Sequence, residues 1–163
     1  MRRLPSADVN PAGAPPLERT LTYRLHLLHK LTDLGSQRAY AADAGLSLSD
    51  GRCLAAIGAF APLSVNDLAH KANLNKGQAS RAAQSLAAQG LVRKADHATD
   101  GRGVVLTLTL AGRQAWRRAM RVIGQRNEAI FGCLPVAEQA QLGQLFDRLI
   151  QQAQMLNTVS TPV

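Results

Sequence analysis

The sequence predicts a mainly α fold, in which a winged helix-turn-helix with a small two- to three-stranded β wing is flanked by long dimerisation helices. From Ser64 to Gly112 the residues read in order as helix, turn, basic helix, strand, charged hairpin and strand. On both sides of this segment, apolar residues recur at helical spacing. The length of 163 residues, 46% of them hydrophobic, suits one domain with its own core.

The chain divides into a short arm and one domain. Residues 1–16 are rich in proline and alanine and predict a flexible arm, for which an inert tail is favoured over a phosphate-contacting role. Residues 17–157 form the domain, with the winged helix-turn-helix at 46–109 and dimerisation helices at 17–44 and 111–157. The leucines of the first helix spread over too wide an arc to face one small core, so we expect the helix to meet a second copy of the chain. These leucines are Leu17, Leu21, Leu25, Leu28, Leu31 and Leu34.

Two helices should precede the basic one. The first is expected from Leu48 to Phe60, with Ser49 as its N-cap and Leu54, Ile57 and Phe60 facing inward. The second should begin at Ser64, because a serine hydroxyl can accept a hydrogen bond from the free amides of the first turn. This second helix should stop at Asn73. Its inward face is predicted to hold Val65, Leu68, Ala69 and Ala72.

The basic helix is the candidate recognition helix. Asn75 should cap its start, and Gly90 should end it in a left-handed conformation. Its small and apolar positions are expected to pack inward: Ala79, Ala82, Ala83 and Leu86. The remaining positions should face outward with side chains that can reach bases and phosphates in a major groove. These are Lys76, Gln78, Ser80, Arg81 and Gln84.

The predicted wing has one strand that opens at Leu91 and Val92 and a second strand at 104–109, where apolar residues alternate. The loop between the strands carries Asp100 and Arg102 at its tip. An arginine in that position could enter the narrow, negative minor groove of A·T-rich DNA. After the wing, residues 111–134 and 136–156 read as two helices separated at Pro135.

The recognition-helix and strand segment NKGQASRAAQSLAAQGLVRK, the wing with Asp100 two residues before Arg102, and the run of Leu108, Thr109 and Gly112 resemble the MarR family of transcription regulators. The resemblance spans about residues 17–157. The family usually has aspartate, arginine, arginine in the wing, whereas Gly101 stands in the middle place here. The resemblance implies a homodimer, joined through its first and last two helices, that acts as a repressor. It also implies release from a pseudo-palindromic operator by a small aromatic acid or phenolic ligand.

A net charge of +8 favours a polyanionic partner, although a basic surface alone would suit RNA or anionic lipid as readily. The order of elements makes double-stranded DNA the leading candidate. No apolar run approaches the roughly 18 residues of a membrane span, so we expect no membrane partner and a cytoplasmic protein. The candidate DNA contacts are Ser64, Asn75, Lys76, Gln78, Ser80, Arg81, Gln84, Arg93, Asp100 and Arg102.

A ligand pocket between the dimer helices and the winged unit is implied mainly by the resemblance, since family members often bind aromatic carboxylates or phenols there. His29 and Ser36 border the apolar arc of the first helix, and Arg38 is expected near its middle. Arg52 could face the same crevice. Together these residues would offer an apolar slot with a cationic anchor, as an aromatic acid needs. The alternative is that Arg38 pairs with an acid across the dimer and His29 is solvated.

The sequence gives little support for metal binding, redox chemistry or enzymatic activity. His26 and His29 lie three apart but lack a third ligand, so no metal site is expected. Cys53 and Cys133 both read as core residues. No phosphate loop or nucleophile motif is present, so we expect neither an enzyme nor a cofactor. Two alternatives stay open: a redox-responsive regulator, and a winged-helix protein-interaction module without ligand.

Overall fold

The computed structural model describes residues 15–96 and 104–159, and the chain divides in sequence into two compact units between Val122 and Ile123. The predicted class is confirmed: the protein is mainly helical, with a small antiparallel sheet inside a winged helix-turn-helix. Asp100 and Arg102, predicted at the tip of the wing, lie outside the described residues.

The first unit begins with a 3-10 turn at Leu17–Arg19, followed by helix α1 at Leu21–Ala39 and a π-helical turn at Tyr40–Ala44. The predicted start at residue 17 was wrong. The hydroxyl of Thr20 accepts a hydrogen bond from the Tyr23 amide, and this cap sets the beginning of α1. The predicted end is confirmed, since Gly45 follows in the left-handed conformation with φ of 65°.

Three short helices follow: α2 at Leu48–Phe60, α3 at Val65–Lys71 and α4 at Lys76–Ala88. The predicted cap Ser49 was wrong, because Ser47 fills that role and accepts from the Asp50 amide at 3.1 Å. Phe60 was wrongly expected to face inward. Its ring is half exposed, and the Lys71 ammonium lies 4.8 Å from the ring centre, so Phe60 packs against a cation at the rim of the core.

The core of the first unit lies where α2, α3, α4 and the sheet meet. The inward residues predicted for α4 are all buried, as are Leu54 and Ile57 of α2 and Leu68 of α3. Small residues on α4 allow its backbone to approach its neighbours closely. The buried hydrophobic residues of these three helices are Cys53, Leu54, Ala56, Ile57, Leu68, Ala69, Ala79, Ala82, Ala83 and Leu86.

The sheet has two strands, β1 at Val92–Asp96 and β2 at Val104–Leu108, which pair antiparallel with Val92 opposite Leu108. Leu63 adds one isolated bridge to Leu106 through backbone hydrogen bonds of 2.8 and 3.4 Å. The predicted third strand is therefore a single bridged residue. Leu106 is fully buried, while Val104 is half exposed at the end of β2.

Helix α5 covers Leu110–Phe131, and its first part packs in the first unit through Gly112, Ala115, Ala119 and Val122. Trp116 lies directly over Gly58 of α2: a Cβ at position 58 would stand 2.2 Å from the indole Cδ1. Only a residue without a side chain leaves room for the ring. α5 begins one residue before the predicted 111 and ends three residues before the predicted 134.

The second unit contains the end of α5 and helix α6, which covers Val136–Val159 rather than the predicted 136–156. Leu142, Leu145 and Leu149 follow one another at spacings of three and four on α6, and the latter two are exposed. Cys133 was wrongly assigned to a core; it is exposed, and its thiol donates to the Ile130 carbonyl at 3.6 Å.

Candidate nucleic-acid interface

Helix α3 begins with a capping box between Ser64 and Asp67, so the predicted helix start at Ser64 is confirmed. The Ser64 hydroxyl donates to the Asp67 carboxylate at 2.7 Å and accepts from the Asp67 amide at 3.1 Å. The Ser64 backbone amide also donates to this carboxylate, at 3.3 Å. The bond from the Ser64 hydroxyl and, after it, the bond from the backbone amide lower the pKa of Asp67. The Ser64 hydroxyl is therefore already engaged within the protein.

Helix α4 also begins with a capping box, formed by Asn75 and Gln78. The Gln78 amide donates to Asn75 Oδ1 at 2.8 Å, and the Asn75 amide donates to Gln78 Oε1 at 3.1 Å. Gln78 is half-buried, and its side chain turns back to the start of the helix. Its Oε1 is committed to the helix start, while its Nε2 group remains able to donate to a base.

The rest of the outer face of α4 is open. Lys76, Arg81 and Gln84 are exposed, and Ser80 is half-buried. None of these four side chains makes a hydrogen bond or ion pair with any residue that the structure describes. Two cations and two hydrogen-bonding groups thus project from one helix without internal partners. Such a face can contact phosphates and base edges of a duplex.

A polar groove of about 330 Å³ runs between the start of α2 and the middle of α4. Within it the Ser85 hydroxyl donates to the buried Asp50 carboxylate at 2.9 Å. The residues that line the groove are Ser47, Ser49, Asp50, Gln78, Arg81, Ala82 and Ser85.

Sequence reasoning missed Asp50 and Ser85. Ser85 directly precedes the buried Leu86, and this position could have placed it near the inner face of α4. Asp50 gave no such signal, because an acid in a first helical turn usually faces solvent.

The wing is described up to the ends of its two strands. Arg93 of β1 donates from Nε to the Thr107 hydroxyl at 3.0 Å, opposite it on β2. This pair lies on an exposed part of the sheet, and the terminal guanidinium nitrogens of Arg93 make no hydrogen bond to any residue of 15–96 or 104–159.

The candidate ligand residues lie on α1 and α2. Arg52 forms an ion pair with Asp33, and both side chains are about three-quarters buried. His29 lies one helical turn before Asp33, with its Nε2 3.6 Å from the same carboxylate. The structure thus joins His29 and Arg52 through Asp33, which sequence reasoning missed. Its spacing of four from His29 on one helix was a signal that could have revealed it.

The other two candidates are not joined to this cluster. Ser36 is half-buried, and Arg38 is exposed. In the described ranges, the Arg38 side chain forms no hydrogen bond or ion pair. Arg38 is therefore a solvated cation in the single chain.

Cys53 is fully buried on α2, as predicted. Burial and, to a smaller extent, the nearby Asp50 charge raise the pKa of its thiol to about 12. Residues 15–96 and 104–159 contain no group of three or more side chains able to hold a metal ion. The same ranges contain no helix with the length and apolarity of a membrane span.

The capped helices α3 and α4, the paired strands and the flanking helices define a winged-helix protein. A sequence model described as the MarR family matches residues 44–103, which include α2, α3, α4 and β1. Over these residues the chain is similar to the MarR family. No curated protein gives a significant sequence match.

Solved structures of three bacterial proteins share this fold. A MarR/EmrR family transcriptional regulator from Acinetobacter has a TM-score of 0.79 at 21% identity, over 86% of this chain and 99% of its own. A MarR family regulator from Silicibacter pomeroyi gives 0.68 at 28% identity, over 83% and 92%. BpsR of Bordetella bronchiseptica, whose DNA binding is regulated by 6-hydroxynicotinic acid, gives 0.75 at 20% identity, over 84% and 97%.

Proposed function

We propose that this protein is a homodimeric transcription regulator that binds a pseudo-palindromic DNA site and is released from it by a small aromatic acid. The observation that carries this proposal is the outer face of α4, where Lys76, Arg81 and Gln84 are exposed and make no contact that would satisfy them within the described chain. A net charge of +8 supports a polyanionic partner.

The contacts divide by chemistry. Lys76 and Arg81 suit phosphates, because each offers several donors on a flexible stem. Ser80 and the free Nε2 group of Gln78 suit base edges in the major groove. Ser47 and Ser49, at the mouth of the groove beside Arg81, add hydroxyl donors where a phosphate could approach the start of α2.

Dimerisation is supported by the apolar surface of α1. No residue of α1 is buried, and leucines on several successive turns remain exposed in the single chain. An apolar stripe of this length marks a surface that another protein covers. A second copy of the chain, related by a two-fold axis, would place two recognition helices one turn of DNA apart, about 34–36 Å. The exposed leucines of α1 are Leu21, Leu25, Leu27, Leu28, Leu31 and Leu34.

The test of DNA binding uses sequences selected from a random duplex pool, with affinity measured across a salt series. Arg102→Ala should weaken binding to the selected site by about 1–3 kcal/mol and leave the dimer intact. Lys76→Ala should weaken binding to every sequence. It should also reduce the slope of log affinity against log salt by about 0.9, the amount expected for one phosphate contact. A wild-type protein that enriches no sequence and binds no duplex would reject the proposal in favour of a protein-interaction module.

The cluster of Asp33, His29 and Arg52 supports the ligand part of the proposal. Arg52 already binds a carboxylate, and an aromatic acid could replace Asp33 on its guanidinium. That exchange would break a link between α1 and α2. The ligand can change the DNA affinity only by the difference between its binding free energies for the DNA-binding conformation and for the released conformation. This difference is about 1–3 kcal/mol for a typical effector.

Calorimetry against hydroxylated benzoates, cinnamates and nicotinates, with DNA affinity measured in parallel, tests the ligand. Arg52→Ala should leave DNA affinity without ligand nearly intact and blunt the release; Arg38→Ala should do the same if that cation also faces the acid. Arg24→Ala, an exposed position on the same helix, is the control. No binding across the panel would reject the aromatic acid, and binding without a change in DNA affinity would reject the switch.

The redox alternative has weaker support. Burial and a pKa of about 12 keep the Cys53 thiol protonated and unreactive, so an oxidant would have to act at Cys133.

A further inference from the structure

The first half of α5 carries an arginine stripe, which comprises Arg113, Arg117, Arg118 and Arg121. All four side chains are exposed. They stand outside the helix-turn-helix and the wing, and belong to the same compact unit. The chain contains no acidic residue between Asp100 and Glu128, so nothing near them in sequence offsets their charge.

Three members of the arginine stripe, Arg113, Arg117 and Arg121, lie on the side of α5 that faces away from the core. Successive residues of an α-helix are rotated by about 100°, so Ala115, Ala119 and Val122 define one buried face of α5. On the same projection Arg117 falls almost directly opposite that face, with Arg113 and Arg121 one turn before and after it. Three guanidinium groups therefore form a row over about 12 Å of helix, at 1.5 Å rise per residue.

This arrangement costs the isolated helix some stability. Arg113 and Arg117, and Arg117 and Arg121, are like-charged pairs at a spacing of four, and such pairs destabilise a helix. Arg113 also lies in the first turn, where the helix dipole disfavours a cation. Within the described ranges none of the four arginines forms an ion pair. A row of mutually repelling cations without acidic partners creates a positive potential, and this potential attracts an external anion.

We infer that the arginine stripe binds the phosphate backbone of DNA, as a second contact surface beside the recognition helix and wing. This inference rests on the proposed DNA-binding function. α5 follows β2 after a single residue, and the Gly112 amide donates to Thr109, whose hydroxyl donates to the Gly90 carbonyl at the end of α4. The stripe therefore starts next to the elements that carry the proposed DNA contacts. A row of cations without hydrogen-bonding selectivity suits a phosphate backbone of any sequence.

The test compares R117Q/R121Q with wild type on a long random-sequence duplex over a salt series. Glutamine keeps helix propensity and removes the charge. The slope of log affinity against log salt should fall by about 0.9 for each phosphate contact removed. The double variant R117K/R121K should keep the wild-type slope, because it retains the charge. R19Q/R148Q, which removes two exposed charges elsewhere, should also keep it.

The outcomes separate the two proposals. A wild-type protein that binds no duplex overturns the proposed function. A wild-type protein that binds DNA, with equal slopes for wild type and R117Q/R121Q, overturns the stripe alone. A last experiment measures binding of both proteins to vesicles that contain phosphatidylserine. If R117Q/R121Q loses vesicle binding while its slope of log DNA affinity against log salt is unchanged, the anion is a lipid surface and the inference is wrong.

Discussion

Ser85 on α4 donates its hydroxyl to the carboxylate of Asp50 on α2, at 2.9 Å and across 35 positions of sequence. The amide side chain of Gln89 donates to the same hydroxyl oxygen at 3.0 Å. Asp50 is only 8% exposed, so its carboxylate depends on such donors for stabilisation. This short chain of hydrogen bonds fixes α4 against α2 at one point in its middle, one turn beyond Arg81.

Ser85→Ala should destabilise the protein by about 1–3 kcal/mol, because it removes a donor from a buried carboxylate. Denaturant unfolding measures this loss. Ser80→Ala, in the same helix but without a hydrogen bond in the described chain, should change the free energy of unfolding by less than about 0.5 kcal/mol. Equal losses for the two variants would mean that the bond to Asp50 contributes nothing specific.

Gln78 should separate helix capping from base contact. Gln78→Ala loses the acceptor for the Asn75 amide and should destabilise the protein by about 0.3–1.5 kcal/mol. Gln78→Glu keeps an acceptor at that position, so it should retain stability, but it cannot donate to a base. We expect the glutamate variant to alter base preference at one position per half-site. Unaltered preferences in both variants would confine Gln78 to capping.

The start of α3 should show a pH dependence below the ordinary Asp67 pKa of 3.8. The folded-state pKa is lowered, so the unfolded chain binds the proton more readily. The stabilisation is therefore complete above pH 3.8 and is lost as the pH falls through the lowered value. An NMR titration should place the Asp67 midpoint below 3.8, and Ser64→Ala should raise it. A midpoint insensitive to Ser64→Ala would contradict the assigned cause.

The two cysteines should differ strongly in alkylation. At pH 8 an exposed Cys133 should react with a maleimide or iodoacetamide, while Cys53 should stay unmodified until the protein unfolds. Mass spectrometry of the native and denatured protein measures both sites. Rapid native labelling of Cys53 would show that the core around α2 opens readily.

Local signals predicted the winged unit well. Ser64, Asn75 and Gly90 act through their own hydrogen bonds or backbone conformation, and each was identified from residue type and position. Errors arose where two choices were locally equivalent. Ser47 and Ser49 are both good caps, and only the path of the chain after Gly45 selects the first.

The candidate sites were harder to predict, because their geometry depends on contacts between distant residues. Asp33 meets Arg52 across 19 positions, and Asp50 meets Ser85 across 35. Neither pair leaves a periodic pattern in the sequence. The expectation for Gln78 was incomplete for another reason: an outward helical position can still turn its side chain back to the helix start.

The close fit of Trp116 over Gly58 has a consequence for the history of this chain. A methyl group at position 58 would need the space of the indole ring, so position 58 can accept a side chain only after Trp116 has been replaced by a smaller residue. A substitution at position 58 is therefore expected to occur together with one at position 116. A descendant with alanine at position 58 should carry a smaller residue at position 116, and an engineered G58A should be rescued by W116L although the two sites never share a ligand.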